Sequence, residues 1–180
     1  MSKVAIVGNP SGTGVFTIQS PNTSTDRTLT LPDSTGTIDT LQRAGNVLQV
    51  VQTYIADTGV ISTTSTSFVG SGVTVSITPT STSNFIVIQM FNPMVDHSGA
   101  GSVSGQMYVN GSAMTGAGGY HLGYQDSSAR YSSWCFAGKY SPASLATLTF
   151  EPYFKSDNGG SARFSHDDSS ISLIAMEIAA

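Results

Sequence analysis

Residues 14–38 read GVFTIQSPNTSTDRTLTLPDSTGTI, and this stretch gives the first indication that the chain is built from β-strands. Its two short alternating runs, residues 15–18 and 29–31, follow the period-two pattern of β-strands. Residues 32–36 (PDSTG) then supply the Pro, Asp and Gly of a tight turn. Because strands this short form only a marginal hairpin in water, the segment must pair with something else, most economically with copies of itself.

We therefore predict an extended, strand-rich N-terminal arm over residues 1–45, which pairs with sister chains and attaches to another component. Within this arm, residues 39–45 fit one helical turn, capped by Asp39 or Thr40 and ended by Gly45. The apolar residues predicted to carry oligomerisation and attachment are Val15, Phe16, Ile18, Leu29, Leu31 and Ile38.

A dense series of strand candidates follows the arm and predicts an antiparallel β-sandwich head over residues 46–180. Asn110 and Gly111 give the clearest hairpin signal, because both accept a positive φ. About eight strands suit a jelly roll better than an immunoglobulin-like sandwich. The strand candidates are residues 47–55, 67–69, 73–78, 85–91, 103–109, 130–140, 145–154 and 171–178.

The stretch 14–38 resembles a segment that recurs in tail-fibre and other virion proteins of tailed bacteriophages, notably marine ones, ahead of a distal β domain. Residues 61–69 and 72–83 resemble the opening of that domain, and residues 170–178 resemble its closing strand. Residues 92–145 match nothing in particular. The resemblance implies a non-enzymatic virion protein, a homotrimer whose arm binds other virion proteins. It does not separate a tail fibre from a head fibre or a capsid-decorating protein.

The composition argues against several classes of partner. The net charge is −4 and the seven basic residues are scattered, so no surface that binds nucleic acid is expected. No apolar run approaches the roughly 18 residues of a membrane span, and a single cysteine precludes an intrachain disulfide. Abundant Ser, Thr and Gly also occur in disordered segments, but eight Phe, seven Tyr and the alternating runs favour an ordered fold.

Three motifs that carry chemistry in other proteins are interpreted here as turns or solvated loops. Residues 8–14 (GNPSGTG) resemble a phosphate-binding loop, but the Lys that such a loop requires is missing. Residues 165–168 (SHDD) place a serine, a histidine and two carboxylates together. Adjacency in sequence is no evidence for a hydrolytic triad, because the members of a triad are brought together by the fold. With Asp157 and Asn158, residues 165–168 are an alternative ligand set for a divalent ion. Asp96 and His97 are also predicted to lie in a loop. We predict no metal and no cofactor.

Enzymatic activity is not expected. A glycosidase needs two carboxylic acids that flank a sugar bond, and the only glutamates, Glu151 and Glu177, both lie in strand candidates. Cys135 is expected to pack as a small buried group rather than to act as a nucleophile.

Aromatic residues in the unmatched middle of the chain suggest an alternative function, a host-surface carbohydrate-binding module. Tyr120, Tyr124 and Trp134 are the candidate glycan-binding residues, because flat aromatic faces stack on pyranose rings; Tyr120 and Tyr124 are predicted in an exposed loop. The competing interpretation is that Trp134 and Tyr140 face the sandwich core. A third hypothesis, a secreted adhesin or lectin, is disfavoured by an N-terminus that lacks the features of a signal peptide.

Overall fold

The chain divides into two compact units, Met1–Thr37 and Ile38–Ala180. In the computed structural model, the described residues are 7–8, 10–15, 17–19, 22–26, 28, 43–56, 59–114, 120–125, 131–166 and 169–180. The described residues of the first unit belong to no sheet, and the side chains of Val15 and Ile18 are exposed. Phe16, Leu29, Leu31 and Ile38 lie outside the described residues, so pairing through the arm stays a prediction.

All regular secondary structure in the described part of the second unit is β-strand, and every pairing between the strands is antiparallel. The all-β prediction is therefore confirmed. The strands are β1 (Val47–Ile55), β2 (Ile61–Thr63), β3 (Val69–Gly70), β4 (Val75–Ile77), β5 (Phe85–Ser98), β6 (Gly101–Val109), β7 (Ser112–Ala113), β8 (Tyr120–Gln125), β9 (Ser132–Tyr140), β10 (Leu148–Ser156), β11 (Ser161–Ser165) and β12 (Ile171–Ile178).

The strand order is that of a jelly roll. In the first sheet β12 lies between β1 and β5, and β9 pairs with the other edge of β5. In the second sheet β10 lies between β4 and β6, and β8 pairs with the other edge of β6. A late strand is thus inserted between two early strands in each sheet, as two interleaved Greek keys require. The short strands β2 and β11 extend the first sheet, and β3 and β7 extend the second.

The hydrophobic core lies between the two sheets, because alternate residues of each strand point inward. Burial alternates along β10 and β12, so that Phe150, Phe154 and Leu173 are fully buried while their neighbours are not. The Phe164 ring lies at the centre of this core, 5.7 Å from the Trp134 ring in an edge-on contact and 5.4 Å from Phe154.

Two side chains of the edge strand β1 donate hydrogen bonds to residues that flank β4 of the second sheet. Gln49 Nε2 donates to the carbonyl oxygen of Thr78 at 2.7 Å, and Thr53 Oγ1 donates to that of Thr74 at 2.6 Å. An exposed edge strand invites pairing with other chains. These two bonds join the sheets along this side of the sandwich.

The predicted hairpin at Asn110 and Gly111 is confirmed. Both residues have a positive φ, 48° and 76°, and the flanking residues Val109 and Ser112 pair across the turn. We expect Gly111→Ala to lower the free energy of unfolding by about 1–2 kcal/mol, because a Cβ is disfavoured in the left-handed region. Urea unfolding would measure this loss, with the exposed neighbour Ser112→Ala as the control. A Gly111→Ala variant as stable as the control would contradict the prediction.

Candidate functional site

Three residues with ionisable side chains, Asp96, His97 and Glu177, are buried inside the sandwich. Asp96 and His97 are buried in β5, so the prediction that they lie in a loop is wrong. Their polar groups have interior partners: Arg163 Nε donates to Asp96 Oδ1 at 2.7 Å, and His97 Nε2 lies 3.1 Å from Ser156 Oγ. A sequence pattern treats such residues as solvated because these partners are distant along the chain.

The contact between His97 and Ser156 does not form an accessible nucleophile. His97 is 1% exposed and Ser156 is fully buried, and the Ser156 hydroxyl donates to Asn158 Oδ1 at 3.2 Å. The surroundings are closely packed, since a Cβ added at Gly160 would lie 2.5 Å from His97 Cε1. We assign this cluster to the corner between β10 and β11, which it holds in place.

The predicted loop at residues 165–168 is only partly as expected. Ser165 ends β11, is fully buried and donates to the carbonyl oxygen of Gly59 at 2.8 Å, so it is not solvated. The His166 ring contacts Tyr131 edge-on at 5.5 Å, while Asp167 and Asp168 lie outside the described residues. Within the described part of the chain, no three His, Cys, Asp or Glu side chains are grouped so as to hold a metal ion.

Both glutamates lie in strands, as expected. Glu151 Oε1 accepts a hydrogen bond from the backbone N–H of Gly72 at 2.8 Å. Glu177 is fully buried in β12 and accepts from Gln49 Nε2 at 2.6 Å, from Asn84 Nδ2 at 2.7 Å, and from both the backbone N–H and the hydroxyl of Thr80 at 2.8 and 2.9 Å.

The hydrogen bonds around Glu177 determine its charge state. Burial alone would raise the pKa of the carboxyl group, but the bonds from Asn84, Gln49 and Thr80 outweigh burial and lower the pKa from 4.5 to about 2. Glu177 is therefore an anion at neutral pH, and it ties β1, β12 and the connection before β5 together.

The structure separates the three candidate glycan-binding residues. Trp134 is buried against Phe164, so its ring is unavailable for stacking on a sugar, and the core interpretation is the one that fits. Tyr140 likewise packs edge-on against Phe150 at 5.6 Å. Tyr120 and Tyr124 were predicted in a loop, but this is wrong: they lie in β8. Glycan binding by these two tyrosines stays a prediction.

Cys135 is exposed, contrary to the expectation that it packs as a buried group. Trp134 faces the core, and successive residues of a strand point to opposite faces, so Cys135 must face outward. The sequence indicated this orientation, because the large apolar residues Trp134 and Phe136 lie on either side of Cys135 in a strand.

The outward face of the first sheet is unusually apolar. We define the assembly face as the outward residues of β1, β12, β5 and β9, which lie in cross-strand rows. Exposure reaches 58% for Val50, 61% for Tyr54 and 52% for Phe91. A shallow depression of about 240 Å³ lies on this face, and Phe91, Ala137 and Ile174 are among the residues that line it.

Sequence reasoning missed the assembly face, although β12 carried a signal for it. The inward residues of this strand are Ile171, Leu173, Ala175 and Glu177, and three of the four outward residues are also apolar: Ile174, Met176 and Ile178. A strand whose inward and outward residues are both apolar is typical of a sheet that is covered on both faces.

The outward face of the second sheet is different in character. It carries hydroxyl pairs, such as Ser76 with Thr149 at 2.9 Å, and an aromatic patch that we define as Phe68, Tyr108 and Tyr153. The two tyrosine rings stack with centroids 3.9 Å apart, and Lys155 Nζ lies 5.6 Å from the centroid of the Phe68 ring. These residues were not among the sequence-based candidates.

Comparison with known proteins does not assign the chain to a family: no family model and no curated protein matches it. No helix that is long and apolar enough to cross a membrane occurs in the described ranges.

Proposed function

We propose that this protein is a non-enzymatic structural component of a tailed-phage virion, a homotrimeric fibre or spike protein. It would serve as a tail fibre, a head fibre or a capsid-decorating protein. The observation that carries the proposal is the contrast between the two outward faces of the jelly roll. One is apolar, whereas the other carries hydroxyl pairs and the charged side chain of Lys155 beside the aromatic patch. A scaffold of this kind packs against sister chains on one side and faces water on the other.

In this proposal the two predicted segments have separate tasks. Residues 1–45 attach the protein to another virion component, and residues 46–180 form the exposed head. Support for the arm comes from the resemblance of residues 14–38 to a segment of phage fibre proteins.

The proposal is tested on purified phage particles. Antibodies against residues 46–180 are expected to label intact virions in electron micrographs, and deletion of residues 1–38 is expected to abolish incorporation. The position of the label would separate a tail location from a head location. The proposal would be wrong if purified, fully infectious particles contained none of this protein.

Glycan binding is the second candidate function, and the aromatic patch favours it. Phe68, Tyr108 and Tyr153 offer partly exposed aromatic surface, and Lys155 lies beside them as a hydrogen-bond donor for sugar hydroxyls. Tyrosine suits such surfaces because it joins a large apolar ring to a polar tip. β8, which contains Tyr120 and Tyr124, pairs with β6, the strand of Tyr108.

Binding to immobilised host-surface polysaccharide tests this second function. Tyr153→Ala is expected to weaken binding at least tenfold. The control is Tyr131→Ala, because Tyr131 is an exposed tyrosine that does not belong to the aromatic patch. A double variant, Tyr120→Ala with Tyr124→Ala, tests the two tyrosines that the sequence suggested as glycan-binding residues. Equal binding by all variants would exclude these residues as the glycan site.

A further inference from the structure

We propose that the assembly face is the surface through which sister copies of this chain pack, three around one axis. This inference rests on the proposed homotrimer and adds the surface that forms it. A second copy is a fitting occupant because the face is apolar and therefore complementary to itself.

The distribution of charge supports a self-complementary contact. The outward residues of β1, β12 and β5 on this face include no Asp, Glu, Lys or Arg: they are Val50, Gln52 and Tyr54; Ser172, Ile174, Met176 and Ile178; and Phe85, Val87, Gln89 and Phe91. The charged residue Lys139 lies on β9 at the border, with its Nζ 4.1 Å from the centroid of the Phe85 ring. Two copies that meet here avoid like-charge repulsion, and the face offers no match for a strongly charged partner.

The size of the face matches that of the largest apolar patches that monomers expose. Four strands spaced about 4.8 Å apart give a width of about 19 Å, and eight residues along β12 give a length of about 27 Å. The resulting area of roughly 500 Å² per chain is at the upper end of the patches that monomers expose. Three such faces would cover about 1,500 Å² in total, or about 500 Å² for each pair of chains. A specific two-chain interface buries roughly 1,200–2,000 Å², so in this proposal the pairing of the N-terminal arms adds to the contact.

Three of these faces also fit around one axis. In a triangle with sides of about 19 Å, each face lies about 5.5 Å from the axis. Side chains on a sheet face reach about 5 Å, which is half of the roughly 10 Å between packed sheets. The outward side chains of three copies would therefore fill the space that the faces enclose.

Light scattering coupled to size exclusion tests the proposal on the full-length chain. The wild type is expected to have a mass near three times 18.7 kDa, and the double variant Val50→Asp and Phe91→Asp is expected to fall to 18.7 kDa. The matched control is Thr74→Asp and Ser76→Asp, which adds the same charge at exposed positions in or beside β4 and is expected to remain a trimer. Should the aspartate variant fail to fold, Val50→Ser and Phe91→Ser remove apolar surface without adding charge.

Cys135 provides an independent readout, because it pairs with Phe91 in the same row of the face. Its reaction with a maleimide is expected to be at least tenfold slower in the wild-type trimer than in the aspartate variant. The alternative outcomes separate the two proposals. A trimer that persists in folded face variants overturns the assembly face and leaves the trimer standing. A wild-type dimer that the face variants dissociate supports the face but overturns the three-fold arrangement, and a wild-type monomer overturns both.

Discussion

Replacing Glu177 with alanine is expected to lower the free energy of unfolding by about 3–5 kcal/mol at pH 7. The substitution removes the acceptor of four hydrogen bonds and leaves the donors of Gln49, Thr80 and Asn84 without their partner at the end of the sandwich. Chemical unfolding would measure the loss, with wild type and variant compared at the same protein concentration because the proposed trimer would make stability depend on concentration. A variant as stable as wild type would show that the surroundings of Glu177 rearrange without cost.

The same carboxylate predicts a pH dependence whose direction follows from its pKa. The pKa is about 2 in the folded chain and 4.5 ordinarily, so the folded state favours the anion. The stabilisation is fully present above pH 4.5 and is lost as the pH falls from 4.5 to about 2. A difference of 2.5 in pKa corresponds to about 3 kcal/mol. Glu177→Gln is expected to remove this part of the pH dependence, whereas Glu151→Gln is expected to retain it. An unchanged acid profile in Glu177→Gln would contradict the assignment.

Replacing Phe164 with alanine is expected to cost about 3–5 kcal/mol of unfolding free energy. The ring is fully buried and joins Trp134 to Phe154, so its removal leaves a cavity between the two sheets. Leu145→Ala is the control, because Leu145 is 56% exposed and its truncation should change stability by less than about 0.5 kcal/mol. Thermal unfolding followed by circular dichroism would detect the difference. Equal losses in both variants would mean that Phe164 does not anchor the core.

Short apolar-rich runs between turn residues were the reliable signal in this sequence. They predicted β1 and β12 with the bounds that the structure has, although the polar residues Gln49 and Glu177 also face inward. Turn chemistry was equally direct at Asn110 and Gly111. Both signals are local, so the residues themselves contain the information.

Two of the errors have a different cause, which is that partners distant along the chain determine the structure. Asp96 and His97 extend β5 because Arg163 and Ser156 satisfy them across the sandwich. β11 was missed because the polar residues of Ser161–Ser165 conceal a strand that pairs with both β2 and β5. The sequence around each of these residues does not indicate partners that lie far away along the chain.

The candidate site was harder to predict than the fold. The assembly face combines residues from four strands that only the jelly-roll order brings side by side, and the aromatic patch joins Phe68 to residues of β6 and β10. In β10 the alternation of the sequence indicated which residues face outward. Which strands are neighbours was not readable from the sequence.

The position of β12 between β1 and β5 sets an order of events during biosynthesis. Because a ribosome builds the chain from its N-terminus, β1 emerges long before residues 171–178, with which it pairs. Until then the first sheet lacks its centre, and pairings between such distant segments form slowly. A nascent chain interrupted before β12 would retain unpaired strand edges that proteases and chaperones recognise. Because β12 lies at the centre of the first sheet, only chains translated through residues 171–178 can complete that sheet.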